Sequence, residues 1–131
     1  MINEKYYKGF EYEVEIVIYY LSNDNEKVGW KIWNGYFETL LSGCFFKGYS
    51  DKGILSSWNS DNGFYDEKPW AIKDTSAVIH ELMQFSTNNF ETTSEPGSDP
   101  LIRAVSELKE DLLLFFEDAS ENNSVVFIES D

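Results

Sequence analysis

The stretch "VGWKIWNGYFETLL", residues 28–41, sets Asn34-Gly35 between two runs rich in aromatic and aliphatic residues. Asn-Gly suits the centre of a two-residue type I′ turn, whose central residues both need positive φ. In that register Trp33 opposes Tyr36, Ile32 opposes Phe37, Lys31 opposes Glu38 and Trp30 opposes Thr39. An aromatic pair and a charge pair then share one face, and an apolar set occupies the other. The expectation is a β-hairpin, and a helix over residues 36–42 is the competing reading.

Upstream, "FEYEVEIVIYY" (10–20) alternates with period two. As a strand it sends Phe10, Tyr12, Val14, Ile16, Ile18 and Tyr20 to one face, and Glu11, Glu13 and Glu15 to the other. Beyond Glu15 the second face turns apolar with Val17, Tyr19 and Leu21, as in an inner strand. A polar turn, "SNDNEK" (22–27), follows. Downstream, "CFFKGYSDKGILSSWNSDNGFY" (44–65) breaks short apolar runs with "SDKG" and "SDNG", which predicts further strands and turns of one meander.

The period then changes. "DTSAVIHELMQF" (74–85) follows an Asp74, Thr75, Ser76 capping cluster with a stripe of Val78, Leu82 and Phe85, flanked by Ile79 and Met83, and predicts a short helix. "STNNFETTSEPGSD" (86–99) reads as a polar loop. "DPLIRAVSELKEDLLLFFEDAS" (99–120) opens with Asp99 as N-cap and Pro100 at the first helical position. Leu101, Val105, Leu108, Leu112, Phe115 and Ala119 form its apolar stripe, and this is the longest predicted helix. "VVFIES" (125–130) predicts a terminal strand added to the sheet. The expected class is α+β: an antiparallel β-meander with two helices packed on one face and a C-terminal strand. No repeat or linker divides residues 1–131, so one acidic domain is expected.

An apolar content of 42%, with 17% aromatic residues, can bury enough surface to offset chain entropy. The net charge of -14, from 24 acids against 10 bases, repels nucleic acid and anionic lipid. Neither direct nucleic-acid binding nor membrane binding is expected. The first residues resemble no secretory signal and no apolar run reaches membrane-span length, which predicts a cytoplasmic protein. Residues 1–73 hold 11 acids and 8 bases, whereas residues 74–131 hold 13 acids with only Arg103 and Lys109. Cys44, the single cysteine, lies in an apolar run and reads as a buried structural thiol.

Motifs of catalysis are incomplete. His80-Glu81 begins "HELMQ", but Gln84 stands where the zinc motif H-E-x-x-H has its second histidine, and the chain has one histidine in all. No Gly-x-Ser-x-Gly turn or phosphate-binding Gly-rich loop occurs. The acidic stretches "DNGFYDE" (61–67) and "ENNSVVFIESD" (121–131) do not fit the EF-hand pattern. No metal, no cofactor and no enzyme activity is expected. A hydrolase working through a carboxylate pair is the third reading, since two carboxylates can run glycoside hydrolysis.

Charge placement is more informative. At 100° per residue, the face of the long helix opposite its apolar stripe collects Arg103, Glu107, Glu110, Leu114, Glu117, Asp118 and Glu121. Acids at a helix C-terminus oppose the helix dipole at about 0.3–1 kcal/mol per charge at low salt, so stability does not explain them. The bland account is a solvated face with one stray leucine. In the expected strand, Glu11, Glu13 and Glu15 form an anionic row about 6.6–6.8 Å apart. Together the two features fit a basic, nucleic-acid-binding protein partner.

In this overall character, with the acidic "FEYEVEIVIYY" and "KEDLLLFFEDASENN" and the tryptophan-bearing "VGWKIWNG", the chain resembles the immunity proteins of bacterial toxin systems, including those of contact-dependent growth inhibition. Those are small, single-domain, cytosolic, often strongly acidic proteins without enzyme motifs. The resemblance implies an antitoxin that binds and neutralises one cognate protein toxin, here a basic nuclease. The alternative is a non-catalytic interaction module, including a DNA-mimicking inhibitor of another partner.

Overall fold

The computed structural model describes residues 1–90 and 99–130. Its strands are β1 (Ile2–Tyr6), β2 (Glu15–Leu21), β3 (Lys27–Trp33), β4 (Trp70–Ala71) and β5 (Phe127–Ser130). Its helices are α1 (Asn34–Cys44), α2 (Leu55–Ser60), α3 (Thr75–Met83) and α4 (Pro100–Glu121). The class is α+β. The strands form one sheet in the order β1-β3-β2-β5-β4.

The Asn34-Gly35 hairpin is absent: β3 ends at Trp33 and α1 begins at the next residue. Phe37, Leu40, Leu41 and Cys44 are all buried, and their spacing of three, four and seven is a helical stripe. A hairpin would have divided that stripe between two faces. Asn34 also donates its backbone N–H to the Val14 carbonyl, at 3.0 Å, where the chain leaves the sheet. Gly35 lies in the helix, outside the set of positive-φ glycines. Its missing side chain makes room for Trp33: a Cβ there would stand 2.4 Å from the indole Cη2.

The hairpin lies one element earlier. β2 and β3 pair antiparallel, from Glu15 opposite Trp33 to Leu21 opposite Lys27. They are joined through the predicted polar turn, where Asn25 takes φ 59° and Ser22 N–H donates to Glu26 O at 2.9 Å.

The long strand over 10–20 is also corrected, since only residues from Glu15 onward are extended into the sheet. Gly9 (φ 89°) and Tyr12 (φ 78°) turn the chain instead, so residues 7–14 form a folded loop. Ahead of it, the unanticipated β1 pairs parallel with β3, which makes the sheet mixed rather than an antiparallel meander. β1 carries Asn3, Glu4 and Lys5 exposed in its middle and shows no alternation to read. Residues 44–65 hold no strand; they contain α2 and a 3-10 turn, Gly63–Tyr65. The apolar runs there bury Ile54, Leu55 and Phe64 without extended pairing.

α3 and α4 form in the stretches their periodicity marked, except that α3 ends at Met83, which is mostly exposed, and leaves Phe85 beyond the helix. Asp74 accepts from Ser76 N at 2.9 Å, and Asp99 accepts from Leu101 N at 2.9 Å, so both predicted N-caps hold. The buried stripe of α4 starts at Ile102 rather than Leu101, which is 39% exposed, and also takes Phe116. Of the predicted polar loop, residues 91–98 lie outside the described residues.

Ile16, Ile18, Ile32 and Ile128 are fully buried and share one sheet face by register. α1 packs against β2 and β3, and α3 and α4 pack with α1, so three helices rather than two build the helical layer. The opposite sheet face is laced by side chains: Lys31 pairs with Glu15 at 2.9 Å, Lys27 with Glu129 at 3.7 Å, and Tyr19 stacks on Phe127. β2 is an inner strand, flanked by β3 and β5. Among the described residues, no helix is long and apolar enough to cross a membrane.

Candidate protein-binding surface

Because α4 runs unbroken for 22 residues, side chains three and four apart stack along one side of it. Glu107, Glu110, Leu114, Glu117, Asp118 and Glu121 are all exposed. Leu114 leaves 63% of its surface in solvent, while Leu112, Phe115 and Phe116 beside it are buried. The predicted face is therefore brought together by the helix as a single surface.

Its two halves differ electrostatically. Toward the N-terminus, Glu107 is paired with Lys5 of β1, whose ammonium also lies 3.3 Å from Asp111. The hydrogen bond to Glu107 is the main influence holding the Lys5 ammonium above its ordinary pKa. Asp111 also accepts from the Tyr6 hydroxyl. Burial, and then that carboxylate, push the Tyr6 phenol well above its ordinary range. Glu110 is paired with its neighbour Lys109. Toward the C-terminus, no cation among the described residues lies within ion-pair distance of Glu117, Asp118 or Glu121. The last turn has no basic residue either, and its carbonyl at Asp118 is met by the Asn122 side-chain amide at 2.9 Å.

The sheet fixes where these halves lie. Lys5 and Tyr6, next to loop 7–14, reach Glu107 and Asp111, whereas Tyr20, near the far end of β2, stacks on Phe115 at 5.5 Å. The unpaired acids thus continue past Phe115, away from the loop and toward the β2–β3 turn.

Glu11, Glu13 and Glu15 do not form a row. Glu11 and Glu13 are exposed on the loop, where the Glu11 carboxylate accepts from Gly9 N at 3.1 Å. Glu15 is half-buried in β2 and engaged by Lys31. What sequence reading missed in the loop is its presentation of Tyr12, fully exposed, and the stacking of Phe10 on Trp33 at 4.0 Å and 5°. Gly9, two residues before Glu11, was the one local signal of a turn.

The remaining candidates have structural explanations. Glu81 is only 3% exposed and accepts the backbone N–H groups of Ile54, at 2.7 Å, and Leu55, at 3.4 Å. Burial raises its pKa, against the opposing effect of those two donors. The carboxylate ties α3 to the start of α2, and Gly53 leaves the space it fills. His80 is exposed and meets Phe46 edge to face. Cys44 is fully buried, which pushes its thiol up to about 12. Among the described residues, no three His, Cys, Asp or Glu side chains are grouped so as to hold a metal ion. No family model, curated protein or solved structure matches this chain.

Proposed function

We propose that the protein is an immunity protein of a bacterial toxin system. It binds a basic protein toxin, a nuclease by charge complementarity, through the exposed face of α4 and so neutralises it. The observation that carries this reading is the group Glu117, Asp118 and Glu121, exposed and without a cation partner among the described residues, beside the exposed Leu114. Acids at that helix end oppose the dipole, so their placement favours an interaction outside the chain over one within it. A desolvated anchor within a charged rim is the usual arrangement of an interface centre. Leu114 fits the anchor, and the carboxylates would steer a cationic partner toward it.

The test is titration calorimetry against a cognate toxin domain, paired with melting curves. Leu114→Ala should leave the melting temperature nearly unchanged, because the side chain is mostly in solvent. It should weaken toxin binding by about 2 kcal/mol, more than Glu110→Ala does, since Glu110 is already satisfied by Lys109. Association should slow as salt rises, because exposed charges are screened over about 8 Å at physiological ionic strength. Unchanged binding by Leu114→Ala and a salt-independent association rate together would discard this face.

A further inference from the structure

Loop 7–14 holds a side chain that the fold itself does not use. Tyr12 is fully exposed at φ 78°, a backbone region that non-glycine residues seldom occupy, and Val14 beside it is half in solvent. Both sides of Tyr12 are nevertheless tied down. Phe10 N–H donates to Tyr7 O and Glu13 N–H to Phe10 O, each at 3.0 Å, and Val14 O receives Asn34 N–H. The Tyr7 hydroxyl reaches Glu13 O at 3.4 Å, and Phe10 lies flat on Trp33 with Tyr36 at its edge. The ring is thus offered from a preorganised loop, which reduces the ordering cost of a contact made through it. Tyrosine is also among the residues enriched at interface hot spots.

The surroundings indicate what kind of partner it fits. Tyr12 stands between Glu11 and Glu13, which are exposed and have no ion-pair partner among the described residues; Lys31 is taken by Glu15 and approaches Glu4 instead. An arginine satisfies both features, because its guanidinium stacks on an aromatic face and donates in parallel to a carboxylate. We infer that loop 7–14 is a second contact surface, in which Tyr12 anchors an arginine-bearing segment of a basic protein partner. The inference rests on the reading of this chain as the binder of such a protein.

An arginine-glycine repeat peptide, with a lysine-glycine repeat as control, tests it by NMR titration of the whole protein. The arginine peptide should shift the Tyr12 ring signals and the amides of residues 11–14 saturably, and more strongly than the lysine peptide. Tyr12→Gly, which suits the positive φ, should weaken binding about three- to fivefold, while Tyr12→Phe retains it because the ring face remains. Equal affinity for wild type and Tyr12→Gly, shifts confined to α4, or no saturable binding would each overturn the loop assignment. Shifts confined to α4 would leave the proposed α4 surface standing, whereas loop shifts with α4 silent would keep the loop and count against α4.

Discussion

Gly35→Ala separates two effects that act in opposite directions at the start of α1. Alanine is the better helix former by up to about 1 kcal/mol, so propensity alone favours the substitution. The added methyl, however, would stand 2.4, 2.5 and 2.7 Å from three indole atoms of Trp33. The indole has little freedom to retreat, with Phe10 stacked on it at 4.0 Å and Tyr36 at 5.0 Å edge to face. Displacing it loosens two aromatic pairs, each worth about 0.5–1.5 kcal/mol, for a loss of roughly 1–3 kcal/mol. The expected net effect is destabilisation by about 1 kcal/mol. In a Trp33→Ala background the obstacle is gone, so Gly35→Ala should instead stabilise by up to about 1 kcal/mol. The two values imply a coupling of about 2 kcal/mol, well above the usual scatter for non-interacting sites. Urea unfolding of the four proteins, followed by far-ultraviolet circular dichroism, measures it. The same sign in both backgrounds would refute the claim that Gly35 is required by Trp33.

Two further outcomes follow from buried groups. Glu81→Ala leaves the Ile54 and Leu55 N–H groups without their acceptor and should cost about 2–4 kcal/mol in urea unfolding, whereas Glu81→Gln keeps one acceptor and should cost less. Because burial holds the Glu81 carboxyl above its ordinary range, the folded state binds this proton more tightly than the unfolded chain. The Glu81 contribution to stability should therefore decline as pH rises from about 4.3, the ordinary carboxyl value, through the raised folded value. Comparing wild type with Glu81→Gln across that window should reveal this slope in wild type alone. The Cys44 thiol, pushed up to about 12, should resist a thiol reagent at mildly alkaline pH in the native protein and react promptly in urea.

Elements whose signal is local were legible in the sequence. The helices α3 and α4 each combine a capping aspartate with an apolar stripe, short in α3 and running the length of α4, and neither depends on a distant partner for its register. The Asn34-Gly35 hairpin failed because a turn propensity confined to two residues competed with a buried stripe from Phe37 to Cys44, and burial outweighs turn preference. Alternation in residues 10–15 misled in a similar way. Phe10 is half-buried by stacking on Trp33, not by facing a core across a sheet, so its apolar character is satisfied in a loop. β1 was illegible because its place is set by hydrogen bonds to β3 and by Tyr6, which reaches across to Asp111 more than a hundred residues away.

The same distinction governs the candidate surfaces. The α4 face could be projected at 100° per residue because a helix fixes the direction of every side chain on it, whereas the loop that carries Tyr12 is held by Phe10 on Trp33 and Val14 on Asn34, contacts that no local pattern records. The two surfaces also stand at different ends of the sheet: the loop precedes Glu15, while the unpaired acids of α4 continue beyond the level of Tyr20. Seven strand residues at about 3.3 Å each separate those levels by roughly 20 Å. A patch of about 800 Å² per partner, the usual interface size, is of order 30 Å across, so this lengthwise separation is smaller than one such patch.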